Sequence, residues 1–254
     1  MRLAFPAPRL GNRHPLIDVT RLLRSRRRPF GTGVDRIDLA LALAILEDSA
    51  APCDFVALGP LGPAVLPRRL GAMFLRSLDA WWKGRSSKPP SGAWIAAALS
   101  AGALGRLAGP SNRVYVNISH SGLPTRPGAM ARLDPKGEMS RFIYIHDLIP
   151  LEFPEYQRPE TRARFTAFLS EAVAPDARIA TNSADTAARI DAHLAASGAS
   201  PAEILTPRIA LEDIRPDVAP SLEVAALLAE NRPFLLCVGT IEPRKNHLLL
   251  LSLW

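Results

Sequence analysis

The chain has 254 residues, 48% of them hydrophobic, and a mean hydropathy of +0.06, which suffices for a sizeable core and excludes a disordered chain. Its net charge is +7, and four of its 31 basic residues are lysine: Lys83, Lys88, Lys136 and Lys245. That balance suits anionic partners such as nucleotide-sugars, lipid phosphates or an anionic membrane, while no recognition-helix, RNP or zinc pattern supports nucleic-acid binding.

Taken in order, Leu16 to Val19 reads as a short apolar strand. The basic run from Thr20 to Pro29, with Arg21, Arg24, Arg26, Arg27 and Arg28, reads as solvated charge. Gly31-Thr-Gly33 then opens an apolar-rich helix from about Val34 to Glu47. Glycines before a helix let the backbone approach a phosphate closely, or simply make a turn. Phe55 to Leu58 is a second strand, and residues 60 to 92 look irregular. Trp81-Trp82 beside Lys83, Arg85 and Lys88 suits a membrane interface or a helix end packed on the core. An Ala/Leu-rich helix follows from Trp94 to Leu107.

Val114 to Asn117 is the next strand, which puts His120 just past a strand end, where α/β folds place their ligands. Phe142 to Ile145 is another, closed by His146-Asp147-Leu148. A histidine there can serve as base, acid or phosphate partner; Asp147 beside it can cap or turn the backbone. Residues 159 to 174 form an amphipathic helix with Phe165, Phe168, Leu169 and Ala172 on one side. Arg178 to Thr181 is a strand, and Ser183 caps a helix running to about Ala196. Residues 207 to 211 are the candidate last strand of this unit, and Pro216, Asp217 and Pro220 mark a linker.

Leu222 to Glu230 is a short helix leading into a buried strand, Phe234 to Val238, which Gly239 ends. Pro243 suits the first turn of a helix whose body, Leu248 to Trp254, is apolar. Arg244 and Lys245 at that helix start, with free backbone N–H groups, would make an anion site. Cys53 and Cys237 sit in or beside apolar runs and read as buried thiols in a reducing cytoplasm. No Cys/His cluster has metal spacing, and no stretch reaches the length of a membrane span. Alternating strands and helices imply an α/β fold with a doubly wound, mostly parallel, Rossmann-like sheet. A dinucleotide-dependent oxidoreductase is not favoured, because no Gly-x-Gly-x-x-Gly follows the first strand.

Several strings resemble family 4 glycosyltransferases of the GT-B fold. Val238-Gly-Thr-Ile-Glu-Pro-Arg-Lys-Asn-His247 is similar to the start of that family's C-terminal domain. His146-Asp-Leu-Ile-Pro-Leu-x-x-Pro-Glu155 resembles its central N-domain motif. Asp18-Val-Thr-Arg21 with Gly31-Thr-Gly-Val-Asp-Arg36 is similar to the opening of one bacterial branch. Asn117-x-x-His120-x-x-Leu123 and Asn182-Ser183-x-x-Thr186 fall in the family's order as well.

The resemblance implies retaining transfer of a sugar from a nucleotide-sugar to a glycan or lipid-linked acceptor, as in bacterial polysaccharide biosynthesis, with no cofactor and no metal. It implies donor contacts at Arg244, Lys245, Gly31 and Gly33, with the two cations on the diphosphate. It places His146 at the reacting carbon as the catalytic residue, and His120 and Asp147 on the acceptor side. The implied organisation is an N-terminal, acceptor-side domain over residues 1–215 and a linker over 216–232, with the first strand-helix unit of a shortened donor-side domain over 233–254. The family's pair of glutamates seven residues apart lies beyond that unit, so transfer by this chain alone is not expected. A cytoplasmic location with peripheral association at an anionic membrane is the accompanying expectation. The rival reading is a non-catalytic acceptor- or membrane-surface-binding module, carried by the basic run at 21–28 and by Trp81-Trp82.

Overall fold

The computed structural model describes residues 13–48, 52–59, 61–91, 100, 112–174, 177–199, 203–207 and 219–253. The expected helix from Trp94 to Leu107 lies outside them except for Ser100, as do residues 208 to 211.

Seven strands form one sheet: β1 His14–Asp18, β2 Asp54–Gly59, β3 Gly62–Leu66, β4 Arg113–Asn117, β5 Ser140–Ile145, β6 Arg178–Thr181 and β7 Glu203–Leu205. Their order is β3-β2-β1-β4-β5-β6-β7, parallel throughout except for the β2–β3 pair. The mostly parallel, doubly wound sheet expected from the sequence is therefore present. The last strand among the described residues is Glu203–Leu205, where Ile179 and Ala180 of β6 take Ile204 and Leu205 as ladder partners.

Apolar residues alternate across the strands and feed two cores. Ile17, Phe55, Val114, Val116, Phe142 and Tyr144 face one side. There they meet α2 (Gly33–Asp48) through Leu39, Ala42 and Ile45, and α3 (Arg68–Trp82) through Phe74, Leu75 and Leu78. Leu16, Val56, Tyr115, Ile143, Ile145 and Ile179 face the other. They are covered by α4 (Ala129–Leu133), α6 (Pro159–Ala172) and α7 (Ala184–Ala196). Each buried side chain of this size contributes about 1.5–3 kcal/mol through its removal from water. Two short helices complete the first and fifth connections, α1 (Thr20–Ser25) and α5 (Ile149–Glu152).

Within the stretch expected to be irregular, residues 62 to 82 form a strand and a helix, while residues 83 to 91 carry neither. Gly62, at φ 110°, turns the chain back, and β3 pairs antiparallel with β2. Pro63 sits opposite Leu58 on this edge strand, where its missing N–H leaves no central ladder bond broken. Trp81 and Trp82 then end α3 against the first core, and both indole N–H groups donate to the Arg28 carbonyl, at 2.7 and 3.1 Å. Core packing, not an open aromatic face, accounts for the pair.

The C-terminal stretch also departs from expectation. α8 (Leu222–Ala229) and α9 (His247–Leu253) form, and Ser221 caps α8 through the Val224 N–H. Phe234 to Val238, however, is not a strand, and its side chains are exposed. A strand needs a neighbour to take its backbone hydrogen bonds, and composition alone does not supply one. Cys237 is consequently exposed, while Cys53 is buried as expected. α9 is exposed rather than buried. No described helix is long and apolar enough to cross a membrane.

Candidate functional site

The strand order changes direction at β1: the chain passes from β1 to β2 on one side, and later returns to β4 on the other. The carboxyl ends of β1 and β4 flank that switch point, the usual ligand crevice of open α/β sheets. Each of these strands ends on a buried polar residue, Asp18 and Asn117.

The two side chains belong to one hydrogen-bond network. Asp18 Oδ1 accepts from the Thr20 N–H at 2.9 Å. Asp18 Oδ2 accepts from the Tyr115 hydroxyl at 2.6 Å and from the Leu123 N–H at 2.8 Å. Asn117 donates to the Tyr115 oxygen and to the Ser121 carbonyl, and its own Oδ1 accepts from the Ser119 N–H. Burial raises the Asp18 pKa, and these donors offset part of that rise. Burial and the adjacent Asp18 charge raise Tyr115 well above its ordinary value. The network shapes the turn after β4. Gly122 sits at φ 96°, and a Cβ there would lie 2.1 Å from Asp18 Oδ2, so only glycine fits. His120 in the same turn takes a left-handed backbone, φ 51°, uncommon for a side chain of its size.

His120 and His146 meet over the ends of β4 and β5, with ring centroids 5.1 Å apart. The His146 backbone N–H donates to His120 Nε2 at 2.7 Å. His120 Nε2 is therefore an acceptor, and the ring proton sits on Nδ1. His146 Nε2 lies 2.6 Å from the Ile118 carbonyl, which can only accept, so this ring carries its proton on Nε2 and leaves Nδ1 as a lone pair. His120 also rests edge-on against Phe165, and near Phe168, of α6. Burial pulls the His146 pKa down to about 4, and the Arg21 charge adds to the shift. Burial, then His146 and Arg21, pull His120 well below its ordinary value. Both rings are neutral at neutral pH. Asp147 turns the backbone as its position suggested: its Oδ1 accepts from the Ile149 N–H at 3.1 Å. Burial raises its pKa, and the charge of Arg244 acts against that rise.

The glycine loop is fixed from beneath by Asp35. Its carboxylate accepts from Arg21 at 2.6 Å, from Ser25 at 3.2 Å, and from the Thr32 N–H and hydroxyl at 2.9 and 2.7 Å. Despite its burial, these partners hold Asp35 below the usual carboxylate range. The basic run is thus not merely solvated, since Arg21 and Arg28 both pair with Asp35. A Cβ on Gly31 would lie 2.9 Å from the Trp82 ring, so a larger residue there would have to displace that ring; Gly33 is exposed at the start of α2. One turn further on, Asp38 is fully buried, and neither of its oxygens has a hydrogen-bond partner among the described residues. Burial first, then Asp18, push its pKa well up; Ser119 lies near enough to lower it slightly without making a hydrogen bond of normal geometry.

Arg244 and Lys245 occupy a 3₁₀ turn, Pro243–Lys245, and not the first turn of α9. Asn246, at φ 52°, separates that turn from the helix, so the two cations do not sit at a helix N-terminus as expected. Arg244 Nε donates to Glu242 at 2.6 Å. Of the residues singled out from sequence, His120, His146 and Asp147 come together, and Arg244 reaches Asp147 through its charge. Gly31 and Gly33 lie in the loop that Asp35 ties to Arg21. Sequence reading did not single out Asp18, Asn117 or Asp38 as site residues. The available signal was a polar residue closing each of two apolar strands.

Compared with known proteins, the chain matches no family model, no curated protein and no solved structure.

Proposed function

We propose that this chain is the acceptor-side α/β domain of a sugar transferase that uses a nucleotide-sugar donor. One observation carries the reading: two neutral histidines and Asp147 lie together at the strand ends beside the switch point, within reach of the Arg244 charge. Sugar transfer requires such a mixture. The bond from the anomeric carbon to the diphosphate breaks, and a bond to the acceptor hydroxyl oxygen forms. The hydroxyl proton leaves with the nucleoside diphosphate. Charge develops on phosphate oxygens, where fixed cations stabilise it. Arg244 and Lys245 supply those cations, with retention at the anomeric carbon as the resembling family implies.

His146 has a narrower role than a general base. A ring whose pKa lies at about 4 is a weak base at neutral pH. Its unprotonated Nδ1 serves instead as a hydrogen-bond acceptor that orients a sugar hydroxyl. His120 and Asp147 line the acceptor side of the same group. The acceptor is a glycan or a lipid-linked saccharide. The membrane-module reading receives less support, because the Trp81 and Trp82 N–H groups are already taken by Arg28.

Binding measurements test the proposal. The full chain is titrated with nucleoside diphosphates and their sugars while its histidine ring signals are followed. Saturable binding is expected for one nucleotide class, and Arg244→Ala should weaken it about tenfold, the weight of one charge-assisted contact. No binding of any nucleoside diphosphate at millimolar concentration would overturn the reading.

A further inference from the structure

We propose that Asp18 is the positioning residue of this site: by holding the turn from Ile118 to Gly122, it fixes the backbone conformation and the ring tautomer of His120. The inference rests on His120 belonging to the functional group described above. Asp18 itself need touch no substrate.

The turn is held at both ends through this one carboxylate. At the far end, the Leu123 N–H binds Asp18 Oδ2 directly, and Gly122 lies so close that no Cβ could fit between them. At the near end, Tyr115 links Asp18 to Asn117, and Asn117 binds both Ser119 and Ser121. His120 lies between those anchors at a positive φ of 51°, a conformation uncommon for a residue other than glycine. In that conformation its Nε2 meets the His146 N–H at 2.7 Å, the contact that puts the ring proton on Nδ1. Both Asp18 oxygens act as acceptors: one faces an N–H, the other an N–H and a hydroxyl. Asparagine has the same shape, but one of those positions becomes an NH₂ donor facing an N–H. Whichever way it turns, one anchor of the network is lost.

The test reads the tautomer in the free protein, so its outcome is independent of any nucleotide or sugar. Proton–nitrogen correlation spectra of the five histidine rings are recorded on the full chain, with His120→Gln assigning the His120 signal. In the wild type, His120 should show a single tautomer protonated at Nδ1. In Asp18→Asn, its signals should move to the averaged positions of a mixed tautomer, and its titration should shift up toward the ordinary histidine range. A fold-wide loss of stability would not select one ring in this way; His193, on the exposed part of α7, should stay unchanged. Tyr115→Phe removes one donor and the link to Asn117 while leaving the Leu123 and Thr20 contacts, and it should give a smaller shift in the same direction. A folded Asp18→Asn chain with the wild-type His120 tautomer overturns the proposal. Should Asp18→Asn fail to fold, an unchanged tautomer in Tyr115→Phe overturns it equally.

Discussion

Asp35 and Asp38 stand three residues apart on α2, both buried, and titrate in opposite directions. Asp35 has Arg21, Ser25 and Thr32 as partners, so its carboxylate adds stability above its unfolded pKa; that stability is lost as pH falls through its depressed folded value. Asp38 is buried with no hydrogen-bond partner among the described residues, and its raised folded pKa works the other way: as pH rises past the unfolded value, ionisation favours the unfolded chain until the folded pKa is reached. Asp38→Asn removes that penalty at constant shape. The variant should melt higher than wild type at pH 7, by roughly 2–4 °C for each kcal/mol recovered in a chain of this size. The gap should shrink as the pH is lowered through about 4, the unfolded aspartate's own titration range, and close below it, where the wild-type side chain is neutral in both states. Melting curves across that range decide it; a gap that is constant with pH refutes the assignment. None of this was legible in the sequence. An aspartate among the apolar residues of a helix reads alike whether it meets an arginine or nothing, because the partners come from β1, α1 and the turn after β4.

Among the elements, those defined by local rules were readable. Ser183 accepts from the Thr186 N–H at 3.1 Å, the capping geometry its position indicated. Phe165, Phe168, Leu169 and Ala172 are the buried face of α6, as their spacing required. The β2–β3 hairpin and α3 were not readable, because Pro63 argues against a strand and only the vacant edge beside β2 makes one possible. Packing of α3 on β2 is close: a Cβ on Gly71 would lie 1.9 Å from the Phe55 ring, which is itself fully buried. Gly71→Ala gains helix propensity, yet it should destabilise by about 1–3 kcal/mol through overpacking. Urea unfolding measures it, and a variant as stable as wild type would show that α3 moves away from the sheet at no cost. Phe234 to Val238 illustrates the converse: its composition is that of a buried strand, but no ladder receives it.

For the whole molecule, the two cores on the faces of the sheet draw on residues from β1 to β7, and none from 219–253. The latter stretch leaves Leu222 and Ile241 more than 90% exposed, with Leu235, Leu236, Val238 and Leu248 largely so. Apolar surface of that extent promotes association. A variant shortened to residues 1–218 should keep a cooperative unfolding transition, bind less hydrophobic dye and self-associate less at high concentration. Loss of cooperative melting would show that the stretch is part of the folding unit. By itself the sequence determined the alternation of strands and helices, the parallel sheet that follows from it, the helix caps and the position of both histidines past strand ends. These depend on local periodicity and on the rule that right-handed crossovers build one sheet. Only the tertiary structure decided that Asp18 binds the turn that carries His120, that Asp35 is paired while Asp38 has no hydrogen-bond partner among the described residues, and that the basic run is tied to the glycine loop. Each of these joins residues from separate elements, and the energy of a buried polar group depends on which donors the fold brings to it.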